Sequence, residues 1–574
     1  MLDSMPDADD RRADVTDSGA AAEGAHNPND EITVRRPVPE APGASADSVR
    51  HIPRVNGLEG DVIVVGAGVT GLTAALALKR ASRRVIVLDA RGLKESESCR
   101  TTAHLSEVPD TRLSVLIKRF GIDDTRLFIE GHRLAIAHIE QWAQEIAKDC
   151  GFERLPGFLY AEAGDRTQRQ TLDAEAAAAD ALGYGDIRTT ETPAPFAVAG
   201  ALRFDKQAQF RPGSYVAALE SQIYGNGSVV VRGVRVLEIE TDRASSRCRV
   251  STSGGDVFAD RVIVATDVPI GERSAIRAKL TAFRSYAVAA RARRPLGALL
   301  WDLASPYHHG RTARIGNREF LIAGGGDHRV GEHIDTRQVL AELDEFVRSH
   351  FGPLAVTHHW SGQIIETADG LPYVGAESAD DPRVLFATGL SGNGITSGTL
   401  AGLLLADLVR GHANPLARLL APERAWTLAA VGRNVGRNLA AAKRRLTGRI
   451  KELITDVDHL PTSTGMLLRR QGERLAIYRG ATGALRALGA ACPSGRGHVR
   501  WNGAEKSWDC PSCGSRFDLA GAVLNGPAVR GLVPRPFPDA KPLSPPAPAR
   551  ALPPPVSVPS SVAPAPSPVA QAAP

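Results

Sequence analysis

Apolar positions along the chain fall into two blocks, flanked and separated by polar stretches without a sustained period. From about residue 58 to 425, short continuous apolar runs alternate with segments of helical period, the pattern of buried parallel strands joined by helices. The runs DVIVV (61–65), VIVL (85–88) and RVIVATD (261–267) read as such strands, and 72–78 carries a helical period. The stretch 383–408 reads as strand, Gly-rich loop and helix. From about 455 to 533 the runs shorten to LAIYR, LRALGA, HVRWN, SRFD and AVLNG, which predicts a small all-β module. The basic, Ala-rich stretch 426–454 is expected to join the blocks as a helix. Residues 1–57, rich in Asp, Ala, Pro and Gly, are expected to be disordered. The Pro/Ala/Ser tail 534–574 is expected to be extended, partly polyproline II.

Composition narrows the classes. The 574 residues are 43% hydrophobic and 23% charged, as in an ordinary globular protein of several domains. A net charge of +5 is too mild and dispersed to argue for nucleic acid. The densest basic run, 433–449, lacks interleaved aromatics and reads as a solvated face. No run reaches the ~18 apolar residues of a membrane span, and MLDSMPDADDRRADV has no apolar signal core. Of six cysteines, Cys99, Cys150 and Cys248 are scattered and three cluster late, which fits a reducing, cytoplasmic location.

The strongest chemical signal is DVIVVGAGVTGLTAALALKRASRRVIVLDA (61–90). Gly66 allows a tight turn, Gly68 lets backbone approach a pyrophosphate, and Gly71 lets helix and strand pack closely. Val69 and Thr70 open the helix whose N-terminus favours phosphate charge. Asp89, 18 residues past Gly71, ends the second strand where a carboxylate can accept ribose hydroxyls. Strand, glycines, helix, second strand and acid in register predict a dinucleotide cofactor. A return strand and Gly-rich loop at 383–408 would complete a site for a large one.

Residues 58–425 resemble the FAD-dependent oxidoreductases of the D-amino-acid oxidase, glycine oxidase and sarcosine oxidase type, and most resemble the subgroup with a C-terminal Rieske domain. The matching stretches are SCRTTAHLSEVPDTR (98–112), FDKQAQFRP (204–212), WSGQIIETADGLPYVG (360–375) and ATGLSGNGITSGT (387–399). The resemblance implies an α/β fold: a Rossmann-like FAD-binding domain (58–110, 198–280, 355–412) and an inserted α+β substrate domain (111–197, 281–354). A small all-β Rieske-like domain (455–533) follows. Gly66, Gly68, Gly71, Asp89 and Arg91 would hold the ADP half of FAD, with Thr101 and Thr102 near the pyrophosphate or flavin. Val236 would meet adenine, and Gly389, Gly392, Asn393, Gly394 and Thr396 would run beside the isoalloxazine ring. Ser82 and Ser397 depart from the family's Gly and His.

The activity implied is oxidation of a C–N bond in an amine or amino acid by hydride transfer to flavin N5. Electrons would then pass to oxygen or an external acceptor. Alternatives are electron transfer through the C-terminal domain, or a non-catalytic FAD-binding role that recruits partners. The segment 301–314 concentrates aromatic, His and Arg residues. There Arg311 is the expected carboxylate clamp, with Tyr307 and His308 bordering the amine; His104 is a further candidate near the flavin.

A Rieske domain ligates [2Fe–2S] by Cys-x-His and Cys-x-x-His loops. Here Cys492 and Cys510 fill the Cys positions, Ser494 and Cys513 stand at the His positions, and Gly497 and Ser512 replace the loops' second cysteines. A metal-free relic, a [2Fe–2S] cluster, or a zinc or iron ion on Cys492, Cys510, Cys513 and His498 all remain open.

Overall fold

The computed structural model describes residues 53–424 and 457–537, apart from 243–246, 271–274, 333, 379–380 and 496. The expected linker helix, the basic run 433–449 and nearly all of both tails lie outside the described residues. Residues 53–57 belong to the folded body, because Val55 is buried and its amide bonds to the Gly254 carbonyl. Among the described residues, no helix is long and apolar enough to cross a membrane.

The predicted apolar runs form one six-stranded sheet. Its order is Tyr373–Ser378, Asp381–Thr388, Arg261–Val264, Val62–Val65, Val85–Asp89 and Val229–Arg232. All neighbours pair in parallel except the first two. Both faces are covered, which is why Val62–Val65 and Val85–Asp89 read as unbroken apolar runs. On one face helix Val69–Arg80 packs against helix Gly394–Arg410. A Cβ at Gly402 would lie 2.6 Å from the Thr70 carbonyl oxygen, and one at Gly398 2.7 Å from Thr70 Oγ1. Side chains at these positions would force the helices apart; glycine lets both N-termini reach one place.

A second, nine-stranded mixed sheet is built mainly from the segments expected for the substrate domain. Its long strands Leu280–Ala292, Arg318–Arg329 and Val356–Thr367 pair antiparallel. His309–Ile315, Leu299–Asp302, Glu153–Glu162 and Val198–Gln209 continue it.

The C-terminal module is all-β, with a three-stranded sheet (Thr464–Arg470, Glu473–Arg479, Leu485–Gly489) and a four-stranded one (Arg500–Asn502, Ser507–Asp509, Arg516–Phe517, Val523–Asn525). It docks on the flavin block through buried charge. Arg284, fully buried on its strand, reaches both Glu505 oxygens at 2.7 Å and donates to Ser361 Oγ at 2.6 Å. Glu505 also accepts from buried Arg516 at 2.6 Å, and Arg516 pairs with Asp509 at 3.1 Å. Asn525 Nδ2 donates to Glu97 Oε1 at 2.8 Å, and Gln363 Nε2 to the Gly514 carbonyl at 3.3 Å.

Burial alone would push the Glu97 carboxyl up, but Arg284, Arg100 and Arg91 outweigh it and hold it down from 4.5 to about 2. Glu505 is likewise held well below the usual range by Arg284 and Arg516 against its burial. A depressed carboxyl adds stability that is full above the unfolded value and lost as pH falls through the folded one. The Glu97 contribution to stability is therefore predicted to persist at neutral pH and to fade between pH 4.5 and about 2. Removing one partner of a buried pair costs about 3–5 kcal/mol. Glu505→Ala is predicted to lower stability by that amount, read as a fall in the urea midpoint; an unchanged midpoint rules the network out as the docking element.

Candidate active site

The loop after strand Val62–Val65 bends because Gly66 sits at φ +107°, where a Cβ would collide with the Ala265 carbonyl just past the neighbouring strand Arg261–Val264. A Cβ at Gly71 would collide with the Gly66 carbonyl, so only glycine closes this turn onto its helix. Helix Val69–Arg80 starts at Gly68 with no side chain of its own capping it and no acid in its first turn. Ser98 Oγ accepts the Val69 amide at 3.0 Å. Asp89 pins the loop, accepting from the amides of Ala67 and Arg91, each at 2.7 Å.

This loop forms one end of a cavity of about 330 Å³. Gly66, Gly68, Val69, Thr70, Asp89, Arg91, Thr101, Thr102 and Val236 all line it. So do Gly392, Asn393 and Gly394, where helix Gly394–Arg410 begins. Two helix N-termini, each a partial positive charge, thus open on one cavity. Three expected residues do not line it. Gly71 lies behind the loop as a packing glycine. Gly389 makes a turn at φ +74° against Thr367, and Thr396 is fully buried in the helix. Ser397 Oγ meets His132 Nε2 at 3.1 Å, so a histidine from another helix packs there.

At the far end, Tyr307 lines the cavity and two other expected catalytic residues do not. Arg311 is 3% exposed and spends its guanidinium on the Thr102 and Phe210 carbonyls and on Gln209 Oε1. It braces the wall and presents no fork to a substrate, which corrects its assignment as the carboxylate clamp. His308 also leaves the site: it stacks on Phe346 at 4.1 Å and pairs with Asp302 at 2.9 Å. In their place the cavity is lined by His309, Trp301, Asp110 and Arg112.

The geometry at this end is tight. A Cβ at Gly392 would lie 3.0 Å from Tyr307 Oη and 2.9 Å from Asp110 Oδ1. Asp110 Oδ2 accepts from Ser391 Oγ (2.8 Å) and the Gly392 amide (3.1 Å). Arg112 Nη2 donates to the Asp302 carbonyl at 3.1 Å. Thr102 Oγ1 lies 3.0 Å from His309 Nε2 and 3.4 Å from His104 Nδ1. Burial lowers His309 to about 4 and depresses His104 as well, so both rings are neutral at pH 7. Burial, aided by Asp110 and Asp327, keeps the Tyr307 hydroxyl protonated.

The C-terminal module supplies part of the wall through Leu524, Gly526, Ala528 and Val529. Arg91 and Arg235 reach across to the carbonyls of Leu524 (3.3 Å) and Val523 (3.4 Å). No local sequence signal marks this contribution.

Within that module Cys492, Cys510 and Cys513 place their sulfurs within 4.8 Å of one another. The Ser494 hydroxyl lies 3.1 Å from the sulfurs of both Cys492 and Cys513. His498 is not in the group: it is exposed, with Nδ1 3.5 Å from Arg474 Nη1, which corrects its place among the ligands. Gly497 and Ser512 face each other, a Cβ at Gly497 lying 3.2 Å from that of Ser512. Hydrogen bonding with Cys492 and Cys510, and with Ser494 and Ser515, outweighs burial and pulls the Cys513 thiol well down. The donors do not fit a Rieske centre, which needs two imidazoles and holds its two ligand pairs on separate irons.

Fold and site define a flavoprotein: a doubly covered, mainly parallel sheet with a phosphate-binding glycine loop, and a second helix N-terminus opening on the same cavity. The FAD dependent oxidoreductase family model matches residues 61–408, and the chain belongs to that family. It is 28% identical over 484 residues to YhfW of Bacillus subtilis (strain 168), which carries the name of a Rieske 2Fe-2S iron–sulfur protein; the match covers 83% of this chain and 93% of YhfW. It is 24% identical to gamma-glutamylputrescine oxidoreductase of Escherichia coli (strain K12), over 62% of this chain and 84% of that one. Glycine oxidase from Geobacillus kaustophilus has the same fold, at a TM-score of 0.53 and 21% identity over 64% of this chain and all of that one.

The cradle fits FAD. The open helix start at Gly68 suits the diphosphate, Asp89 and Val236 line the same end, and 392–394 suits the ring end. A Cβ at Gly68 has a single neighbour within 4 Å, Ser98 Oγ at 3.0 Å, so Gly68→Val should fold yet fill the diphosphate path. It is predicted to purify without FAD while keeping the wild-type far-ultraviolet spectrum. Asp267, in the cavity wall, is pushed up from 3.8 to about 7 by burial, with Glu97 adding to the shift. A raised carboxyl is neutral below its folded value and becomes a carboxylate above it, adding negative charge to a wall that would face an anionic cofactor. FAD affinity is therefore predicted to weaken above pH 7, by up to about tenfold per pH unit. Asp267→Asn should flatten that dependence in a fluorescence titration.

Proposed function

We propose that the protein oxidises the C–N bond of an amine or amino acid, with hydride passing to flavin N5. The observation that carries this reading is the convergence of Tyr307, His309, Asp110 and Arg112 beside the 392–394 loop. The similarity to proteins named for glycine and for gamma-glutamylputrescine supports the same class.

FAD supplies the two-electron sink at its flavin ring. The chain's residues bind, orient and dry the substrate. Asp110, at the Gly392 turn, draws a cationic amine inward. Tyr307 and the neutral His309 and His104 then surround it with groups that carry no charge. Burial disfavours the charged form of any amine, and an amine must be uncharged for its lone pair to assist loss of hydride from the neighbouring carbon. His309 Nδ1 is buried without a partner, which favours the neutral ring. Arg112 takes the anchoring role, as a guanidinium that lines the cavity and can hold a carboxylate. Because the thiol group of the C-terminal module does not fit an iron relay, electrons leave to oxygen or an external acceptor.

The deciding experiment is anaerobic mixing of the flavin-loaded protein with a panel of amines and amino acids, followed by flavin absorbance. Bleaching by at least one is expected, and none by the corresponding alcohols or hydroxy acids; the reverse selectivity overturns the reading. With the best carboxylate-bearing substrate, loss of a desolvated charge-assisted bond costs about 2–4 kcal/mol. Arg112→Ala is thus predicted to lower kcat/KM roughly 30- to 1000-fold. Unchanged kinetics would remove Arg112 from the site.

A further inference from the structure

We propose that Cys492, Cys510, Cys513 and the Ser494 hydroxyl form a closed site for one zinc ion, where the likeness to a Rieske protein would lead one to expect a two-iron cluster.

Two loops build the site in the same way. In one, the Cys492 amide donates to the Gly497 carbonyl (2.8 Å) and the Gly495 amide to the Cys492 carbonyl (2.9 Å). In the other, the Cys510 amide donates to Ser515 (2.8 Å) and the Gly514 amide to Cys510 (2.9 Å). Each loop thus curls its side chains towards a common point, as metal-binding knuckles do. Cys510 is fully buried and Cys492 is 4% exposed, while Cys513 and Ser494 are half-buried, so the site is rooted in the fold and opens towards its surface.

Spacing decides between one ion and two. Four ligands around one zinc at Zn–S ~2.3 Å place tetrahedral neighbours ~3.8 Å apart. The sulfurs of Cys492 and Cys513 are 3.7 Å apart, and Ser494 Oγ is 3.1 Å from each. In a Rieske arrangement Cys492 would bind one iron, and Ser494 and Cys513 the other, across two bridging sulfides. Those two ligand sets are here in mutual contact around one point, with no gap for a second iron and its sulfides. Donor chemistry agrees: three thiolates select a soft or borderline ion, and zinc needs no imidazole. Binding deprotonates the thiols and releases their protons to solvent, with no redox partner involved.

The site ties the module to the cavity wall. Cys513 Sγ contacts Ser515 Oγ at 3.1 Å, and Ser515 Oγ accepts the amide of Ala528, a wall residue, at 3.0 Å. The ion would therefore hold two loops and a strip of that wall in register, a structural role suited to a site with four protein ligands.

The test uses the full chain, purified without oxygen from medium supplied with both zinc and iron. Metal and acid-labile sulfide are measured per chain. One zinc and no sulfide is expected, and cobalt(II) exchanged into the protein should show thiolate-to-metal charge transfer. Cys513→Ser should weaken zinc at least tenfold against a competing chelator, whereas His498→Ala and the distant Cys248→Ser should not. Ser494→Cys, which completes a four-thiolate set, should tighten zinc at least tenfold, and this holds even if a Cys→Ser variant fails to fold. Two irons with two sulfides, a lone iron, a Cys492–Cys513 disulfide, or a chain that binds no added zinc would each overturn the proposal. So would loss of zinc in His498→Ala.

Discussion

The joining of the C-terminal module to the cofactor cavity depends on a chain of buried charge, Arg284–Glu505–Arg516–Asp509. Its first member stands on a strand of the flavin block and the rest belong to the C-terminal module. Such networks are costly to desolvate and are neutral or worse as sources of stability unless every group is satisfied. Here Glu505 uses both oxygens on Arg284, and Arg516 adds Asn525 Oδ1 and Ser507 Oγ to its acidic partners. What the network supplies is register: a guanidinium fork accepts a carboxylate in few orientations, so the module can dock in few ways. The docked pose brings 524–529 over the cavity and Asn525 onto Glu97.

A second constraint is electrostatic. The cavity has arginines at its module side and two neighbouring helix N-termini opening on it, so its fixed field is positive where an anionic cofactor would lie. The substrate end differs, because neutral imidazoles, a protonated phenol and the Asp110 carboxylate meet only one guanidinium. That fall in positive charge along one cavity separates cofactor binding from amine binding without a partition of backbone.

How much of this was legible in the sequence follows from the range over which each feature is determined. The Gly66–Gly71 loop could be read because a phosphate cradle needs glycine at local, fixed spacing, and Asp89 because strand length sets its distance. Arg311 could not be read: whether a guanidinium faces a cavity or three carbonyls depends on Thr102, Gln209 and Phe210, at least 100 residues away. Arg112 was hidden for the same reason, since its neighbour Asp302 lies 190 residues on. His498 was a different kind of miss. Its neighbour Val499 is fully buried while His498 is exposed, just ahead of the strand Arg500–Asn502. The share of the wall built by 524–529 has no local signature at all, because docking over 400 residues of sequence creates it.

That shared wall has a thermodynamic consequence. A cavity closed by two bodies does not exist until they meet, so filling it and closing it are two faces of one equilibrium. Whatever free energy a bound cofactor gains from the module is returned as tighter docking, by the same factor. Apoprotein should then hold its module more loosely than holoprotein, and cofactor supply would set how much of the chain is assembled.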